Sequence, residues 1–475
     1  MRGLRAILPA IVALTLAAAL VPPAAAGSTS SSSKGVHTVI AIIDSGINPY
    51  SIAFRDNSPE AFKDPSTYIP GYPKGTPALH IHLNLPYDQA VKKDAAVWAQ
   101  IQPGKLYWIP GTRIVGAISL GAGGTNCPNV TEIPPASSEL QGNCQEHRIL
   151  DDLGHGTMTA SRAAGDPHSL DPTAKIVEVE GLGGSSAKWA ADQGWIDVQT
   201  NSWLSLAPPP VPAGVAPAFK YAAKHMLTLA ASGNGSAFIA GVAPTPTYLL
   251  STAPPGVVLV GGDDNGKMTL WAGAPPHVVA DAYSGYAANF HDNGPMKPDP
   301  EACCTSAASP YAAGGAGAII KAAREVLGDT STGVHDGVIA QGTAGLVSKG
   351  PLADGKFTLD ELKDVFFHTA EARPAEGKDD GAIHWSGEPR PPDHTEFGPG
   401  ANPFCIGCMT TPVEWKQIPD AASAYALIGY GGINERSVAL AQKVLQGSAA
   451  LPARPTEDAQ YQLDQQIREI IFSNQ

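Results

Sequence analysis

The chain has 475 residues, 43% of them hydrophobic and 16% charged, with a formal net charge of -13. That composition supplies a large core and excludes a solvated, disordered chain. The acidic balance and the absence of any long basic run exclude a nucleic-acid surface, which needs clustered Lys and Arg.

The first 26 residues read as an export signal. Arg2 and Arg5 give a positive start, Ala6 to Val21 is almost wholly apolar, and Ala24-Ala25-Ala26 supplies small residues for cleavage after Ala26. The alternative is an N-terminal membrane anchor, but the apolar run is short for a span. Residues 27-36 form a Ser-rich linker, and residues 37-447 are expected to fold as one domain. His37 to Ile43 is an apolar, β-branched run that predicts a buried strand ending at Asp44-Ser45-Gly46. An acid at the C-terminal end of a buried strand is where open α/β sheets place their chemistry.

Residues 50-150 carry many Pro, Gly, Trp and Tyr without strong periodicity and are expected to form a long, ordered insertion. Six cysteines in an exported chain fit an oxidising compartment. Cys127 and Cys144 are close enough in sequence to pair, whereas Cys303, Cys304, Cys405 and Cys408 leave the connectivity open. Zinc is the alternative for these four, without a His/Cys spacing to support it.

After His155, Met158 to Ala164 suits a helix, and Ala174 to Val179 a strand. Asp197 to Trp203 is another strand candidate, Ala216 to His225 a helix, and Met226 to Ala231 a buried strand running into Ser232-Gly233-Asn234-Gly235. Val257 to Gly261 follows as a strand. An Ala/Gly-rich helix is expected after Ser306, then helices over Leu359 to Thr369 and Gly432 to Leu445. Residues 448-475 are polar and helix-prone, and are expected as a C-terminal appendage. Strands alternating with helices imply parallel βαβ units, hence a three-layer α/β/α fold around a mainly parallel sheet.

Three segments together point to chemistry. Ser306, at the expected helix start, is a nucleophile if a base lies within reach; Gly154-His155-Gly156-Thr157 supplies one, and Asp44 can orient it. Asn234, in a Gly-rich turn after a buried strand, is the candidate side-chain donor to an oxyanion, beside the Ser306 backbone N–H. Cys304 as a thiol nucleophile is a weaker alternative, and the glycines at 181, 183 and 184 complete no phosphate-loop fingerprint.

These segments resemble the subtilisin-like serine proteases. Asp44-Ser45-Gly46-Ile47-Asn48 is similar to that family's Asp segment, Gly154-His155-Gly156-Thr157 to its His segment, and Thr305-Ser306-Ala307-Ala308-Ser309-Pro310 to its Ser segment. Lys297-Pro298-Asp299 and Gly429-Tyr430-Gly431 also resemble family segments, so the likeness runs from about residue 37 to 447. It implies a secreted serine endopeptidase with Asp44, His155, Ser306 and Asn234 in the reaction. Ser202, Trp203, Leu204, Ser232 and Gly233 would then line the pocket for the residue preceding the cleaved bond. No cofactor is required. The acidic balance permits calcium, but no carboxylate cluster is assignable as its site. Expected partners are protein or peptide substrates, without nucleic acid and without a membrane span after signal removal.

Four departures accompany the likeness. Cys304 stands before Thr305-Ser306, where the family usually has Gly. Only five residues separate Asp299 from Thr305. Asp44 lies 17 residues after Gly27, which leaves no room for an N-terminal pro-domain, and Asp44 and His155 are 111 positions apart. The short segment before Ser306 and the lack of a pro-domain motivate a second reading, a subtilisin-like fold that binds peptide or a partner with weak or no cleavage. Peptide acyl transfer by the same triad is a third.

Overall fold

The computed structural model describes residues 35-120, 149-151, 153-202, 214-232, 253-264, 267-268, 276-282, 286-289, 291-298, 304-372 and 429-472. The expected signal peptide, most of the Ser-rich linker, Asp299 and the side chains of all six cysteines lie outside the described residues.

Eight strands form one parallel sheet: β1 (Val39–Asp44), β2 (Ile114–Ser119), β3 (Lys175–Glu180), β4 (Val198–Asn201), β5 (Leu227–Ala231), β6 (Val258–Asp264), β7 (Val278–Asp281) and β8 (Gly432–Ile433). Their order is β8-β7-β6-β5-β4-β1-β3-β2, and Lys267–Met268 adds a short antiparallel strand to β6. Seven helices complete the main frame: α1 (His155–Ala164), α2 (Gly184–Asp192), α3 (Val215–His225), α4 (Cys304–Leu327), α5 (Leu359–His368), α6 (Glu435–Leu445) and α7 (Pro455–Phe472).

Strand alternation explains the layers. In β1, Ile40 and Ile42 join the core formed with α1 and α4, whereas Val39, Ala41 and Ile43 join the core formed with α2 and α3. The result is a three-layer α/β/α fold. Asp44, two residues beyond Ile42, therefore falls on the α1/α4 side. The chain crosses from β3 on one side of β1 to β4 on the other, which makes the C-terminal end of β1 the topological switch point of the sheet.

The small residues of α4 set its depth. A Cβ on Gly314 would lie 2.5 Å from the Ala163 carbonyl oxygen, so the glycine lets α4 pack directly on α1. The helix also begins earlier than the Ser segment alone suggests, with Ser306 as its third residue. The expected helix over Gly432 to Leu445 divides: Gly432–Ile433 pairs with β7, and Asn434 then caps α6 by accepting from the Arg436 and Ser437 amides.

The region expected as an insertion contributes to the core through its described part. β2 pairs with β3, and its outer edge is covered where the Tyr107 amide donates to the Ala117 carbonyl and the Ala117 amide donates back. Tyr50, Phe54, Trp98 and Ile109 are buried in the α1/α4 core.

The C-terminal segment, expected as an appendage, docks through α7. The His277 Nδ1 accepts the Leu259 amide at 3.0 Å, which leaves its Nε2 to donate to Asp464 at 2.9 Å. Arg468 joins Asp464 to the Ala253 carbonyl, and Asp458 accepts from His368 and Tyr430.

A buried ion pair ties α4 to the start of β1. Arg324 and Asp197 are both fully buried and meet through two bonds of 2.6 and 3.0 Å. Asp197 also accepts the Val39 and Gly333 amides, and Arg324 donates to the His37 carbonyl. Such a pair is costly to break from one side, because the remaining charge stays buried without its partner. Arg324→Met is therefore expected to cost about 3–5 kcal/mol in denaturant unfolding. A loss under about 1 kcal/mol would show that the pair does not hold the two elements.

Candidate active site

The site is built where β1 ends and α1 begins. Gly46 has φ +122°, a conformation that suits glycine. A Cβ on Gly156 would lie 2.0 Å from the Gly46 carbonyl oxygen, so only glycine allows the start of α1 to touch the turn after Asp44. That contact brings His155 to Asp44.

The His155 Nδ1 lies 2.7 Å from Asp44 Oδ1, with both side chains largely buried. The other Asp44 oxygen accepts the Thr159 hydroxyl at 3.2 Å, and Oδ1 also accepts the Ser45 amide at 2.8 Å. With Asp44 accepting, Nδ1 carries the hydrogen and Nε2 is the ring nitrogen able to take a proton. Burial pulls the His155 pKa down, but the charge and hydrogen bond of Asp44, with the charge of Asp151, more than offset it. The net direction is upward from the ordinary histidine value.

Asp151 fixes the start of α1. Its Oδ1 accepts the Leu153 amide at 3.0 Å, the Gly154 amide at 2.8 Å and the Ser45 hydroxyl at 2.9 Å. Its Oδ2 accepts the Thr157 amide at 2.6 Å. The Ser45 hydroxyl in turn accepts the Gly156 amide at 2.9 Å. Donors at the start of α1 that would otherwise be orphaned are thus satisfied by one carboxylate and one hydroxyl. Burial raises the Asp151 pKa, against the opposing pull of the Thr157 and Leu153 hydrogen bonds.

Ser306 sits in the first turn of α4, on the same side of the sheet as α1. Its hydroxyl donates to the Ser202 carbonyl at 3.1 Å, and the Ser202 hydroxyl donates to the Ser306 carbonyl at 3.0 Å. The Thr200 and Ser309 hydroxyls meet at 2.9 Å one turn further along. This pairing seats α4 on the end of β4. Arg162 of α1 braces the same turn from the other side. Its Nη2 donates to the Asp281 carbonyl and carboxylate, and its guanidinium lies 4.5 Å over the Tyr311 ring.

Of the residues expected from the sequence, Asp44 is in direct contact with His155, and Ser306 with Ser202. Ser232 is buried at the end of β5, where its amide donates to Val260. Trp203, Leu204, Gly233 and Asn234 lie outside the described residues. Two carboxyl groups beside Asp44 were not anticipated, Asp151 and Glu178. Asp151 had a sequence signal, an Asp four residues before the histidine in a Gly-rich helix start. Glu178 interrupts an apolar strand and is fully buried. Among the described residues no cluster of three or more His, Cys, Asp or Glu is arranged to hold a metal ion, and no helix is long and apolar enough to cross a membrane.

Comparison with known proteins bears on this geometry. Among solved structures, a cold adapted subtilisin-like serine proteinase is similar at 14% identity, with 60% of this chain and 75% of that one covered and a TM-score of 0.32. Among curated proteins nothing matches. The sequence model of the subtilase family matches residues 35-383, well over half of the chain and short of the residue 447 read from motifs alone. That span takes in the turn at Asp44, the helix that starts at His155 and the helix that carries Ser306, and the chain belongs to the subtilase family.

Proposed function

We propose that this chain is a secreted serine endopeptidase in which Ser306 is the nucleophile, His155 the base and then the acid, and Asp44 the orienting carboxylate. The observation that carries the reading is the buried 2.7 Å contact between His155 Nδ1 and Asp44. It fixes the ring so that Nε2 can accept a proton. Export rests on the N-terminal signal features of the sequence.

The Ser306 oxygen bonds to the peptide carbonyl carbon while its proton passes to His155. The tetrahedral oxyanion is met by the Ser306 N–H, at the positive end of α4, and by the Asn234 side chain. His155 then returns the proton to the leaving amine, and water enters by the reverse sequence to release the acid. On the likeness of their segments to the family's, Ser202, Trp203, Leu204, Ser232 and Gly233 are the residues assigned to the substrate pocket. For attack, the Ser306 hydroxyl turns from the Ser202 carbonyl by a staggered χ1 change. That hydroxyl–carbonyl bond is also the observation that favours the second reading, peptide binding without turnover.

Fluorophosphonate labelling decides between them. The folded protein is expected to take up one equivalent, and Ser306→Ala none. Folded protein that takes up no label would leave only the binding role. On peptide substrates, Asp44→Asn is expected to lower kcat by about 10⁴-fold, because the ring loses its fixed tautomer. A fall of under tenfold would remove Asp44 from the proposed role.

The pH profile carries a sign. The base must be neutral to act, and its pKa is raised, so activity disappears on the acid side sooner than for an ordinary histidine. The acid limb of kcat/KM is expected to have its midpoint above about 6.5. A midpoint clearly below that value would contradict the charge arrangement around His155.

A further inference from the structure

Glu178 is the buried ionisable group that the proposed reaction leaves unused. It stands in β3 opposite Ile42 of β1, in the parallel register that also sets Glu180 opposite Asp44. Paired positions share a face, so Glu178 lies on the Asp44 side of the sheet. It is fully buried, its Oε1 accepts the Gly46 amide at 3.1 Å, and its Oε2 has no hydrogen-bond partner among the described residues.

Three carboxyl groups meet here, and their donors are shared unequally. Asp151 accepts four hydrogen bonds across both oxygens. Asp44 accepts three, again across both oxygens. Among the described residues Glu178 accepts one, on one oxygen. An ionised carboxylate left with a bare buried oxygen is expensive, and a neutral carboxyl group much less so. The groups that face Glu178 make the same choice. Asp44 comes from β1, Asp151 from the segment before α1, and Glu180 from β3 itself. Burial first, then the charges of Asp44 and Asp151, push the Glu178 pKa well above the usual carboxylate range, against the pull of the Gly46 amide.

The position of that one hydrogen bond gives it consequence. The Gly46 amide belongs to the turn whose carbonyl packs against Gly156, next to His155. A shift of Gly46 therefore moves both sides of the His155–Asp44 pair.

We propose that Glu178 is a positioning residue that stays protonated, holds the Gly46 turn through Oε1, and so sets Asp44 against His155 without adding a charge. This rests on the peptidase reading for its effect on turnover, but its protonation can be tested without turnover.

The experiment compares the full-length wild type with Glu178→Gln and Glu178→Leu. Infrared spectra at neutral pH are expected to show a protonated-carboxyl band that disappears in Glu178→Gln. A band that survives at wild-type strength, or none in the wild type, overturns the proposal whether or not the protein cleaves peptides. In the pH profile of kcat/KM, Glu178→Gln keeps the acceptor and the neutral state, so its acid-limb midpoint is expected to stay within about 0.3 pH unit of wild type. A fall of about one unit or more would mean that a negative charge beside His155 had been removed, and would overturn it. Glu178→Leu loses the acceptor and is expected to lower kcat roughly 10- to 100-fold with little change in KM, a loss that Gln restores. A leucine variant with wild-type kcat would also overturn the positioning role.

Discussion

The arrangement depends on the contact between two glycines. Gly46 ends the turn after β1 and Gly156 is the second residue of α1, and a single added methyl group would drive one backbone into the other. Because they touch, a carboxylate at the end of a buried strand and an imidazole at the start of a buried helix meet at hydrogen-bond distance. The two residues are 111 positions apart, so local sequence contributes nothing to their meeting. The sheet does this work. It sets β1 at the switch point and leaves α1 and α4 on one face, held close by further small residues.

Burial at that contact creates an electrostatic problem, and the hydrogen bonds resolve it. Asp44, Asp151 and Glu178 crowd one water-poor region. Asp151 is satisfied by the amides at the start of the very helix that bears His155. Asp44 is satisfied by His155, Thr159 and its own turn. Asp44 and Asp151 thus serve as the framework that aims the histidine, and the upward direction of its pKa follows from their charge. On the other side of the site, the reciprocal bonds between Ser202 and Ser306 lock the first turn of α4 to the end of β4.

Much of this was legible in the sequence. β1 and β5 are apolar runs closed by turn residues, α3 carries a clear amphipathic pattern, and the Ala/Gly content of α4 announced a helix set deep against its neighbours. β2 escaped because Gly116 and Ala117 break its β-branched run, and its flanks are rich in Pro and Gly. The start of α2 lies in a Gly-Gly-Ser-Ser stretch that reads as a loop. Glu178 escaped for a different reason: its partner, the Gly46 amide, is 132 residues away, and an acid in an apolar strand gives no local hint of whether it is charged. The Ser202–Ser306 pairing likewise exists only once the sheet has formed.

In the proposed reaction the His155–Asp44 pair activates Ser306. Its most direct test is the rate at which a fluorophosphonate modifies the protein across pH, with the adduct located by peptide mapping. Modification is expected on Ser306, with a rate that follows a single ionisation above the ordinary histidine value of about 6.5 and collapses in His155→Ala. Modification elsewhere, or a Ser306 rate indifferent to pH and to the loss of His155, would contradict it.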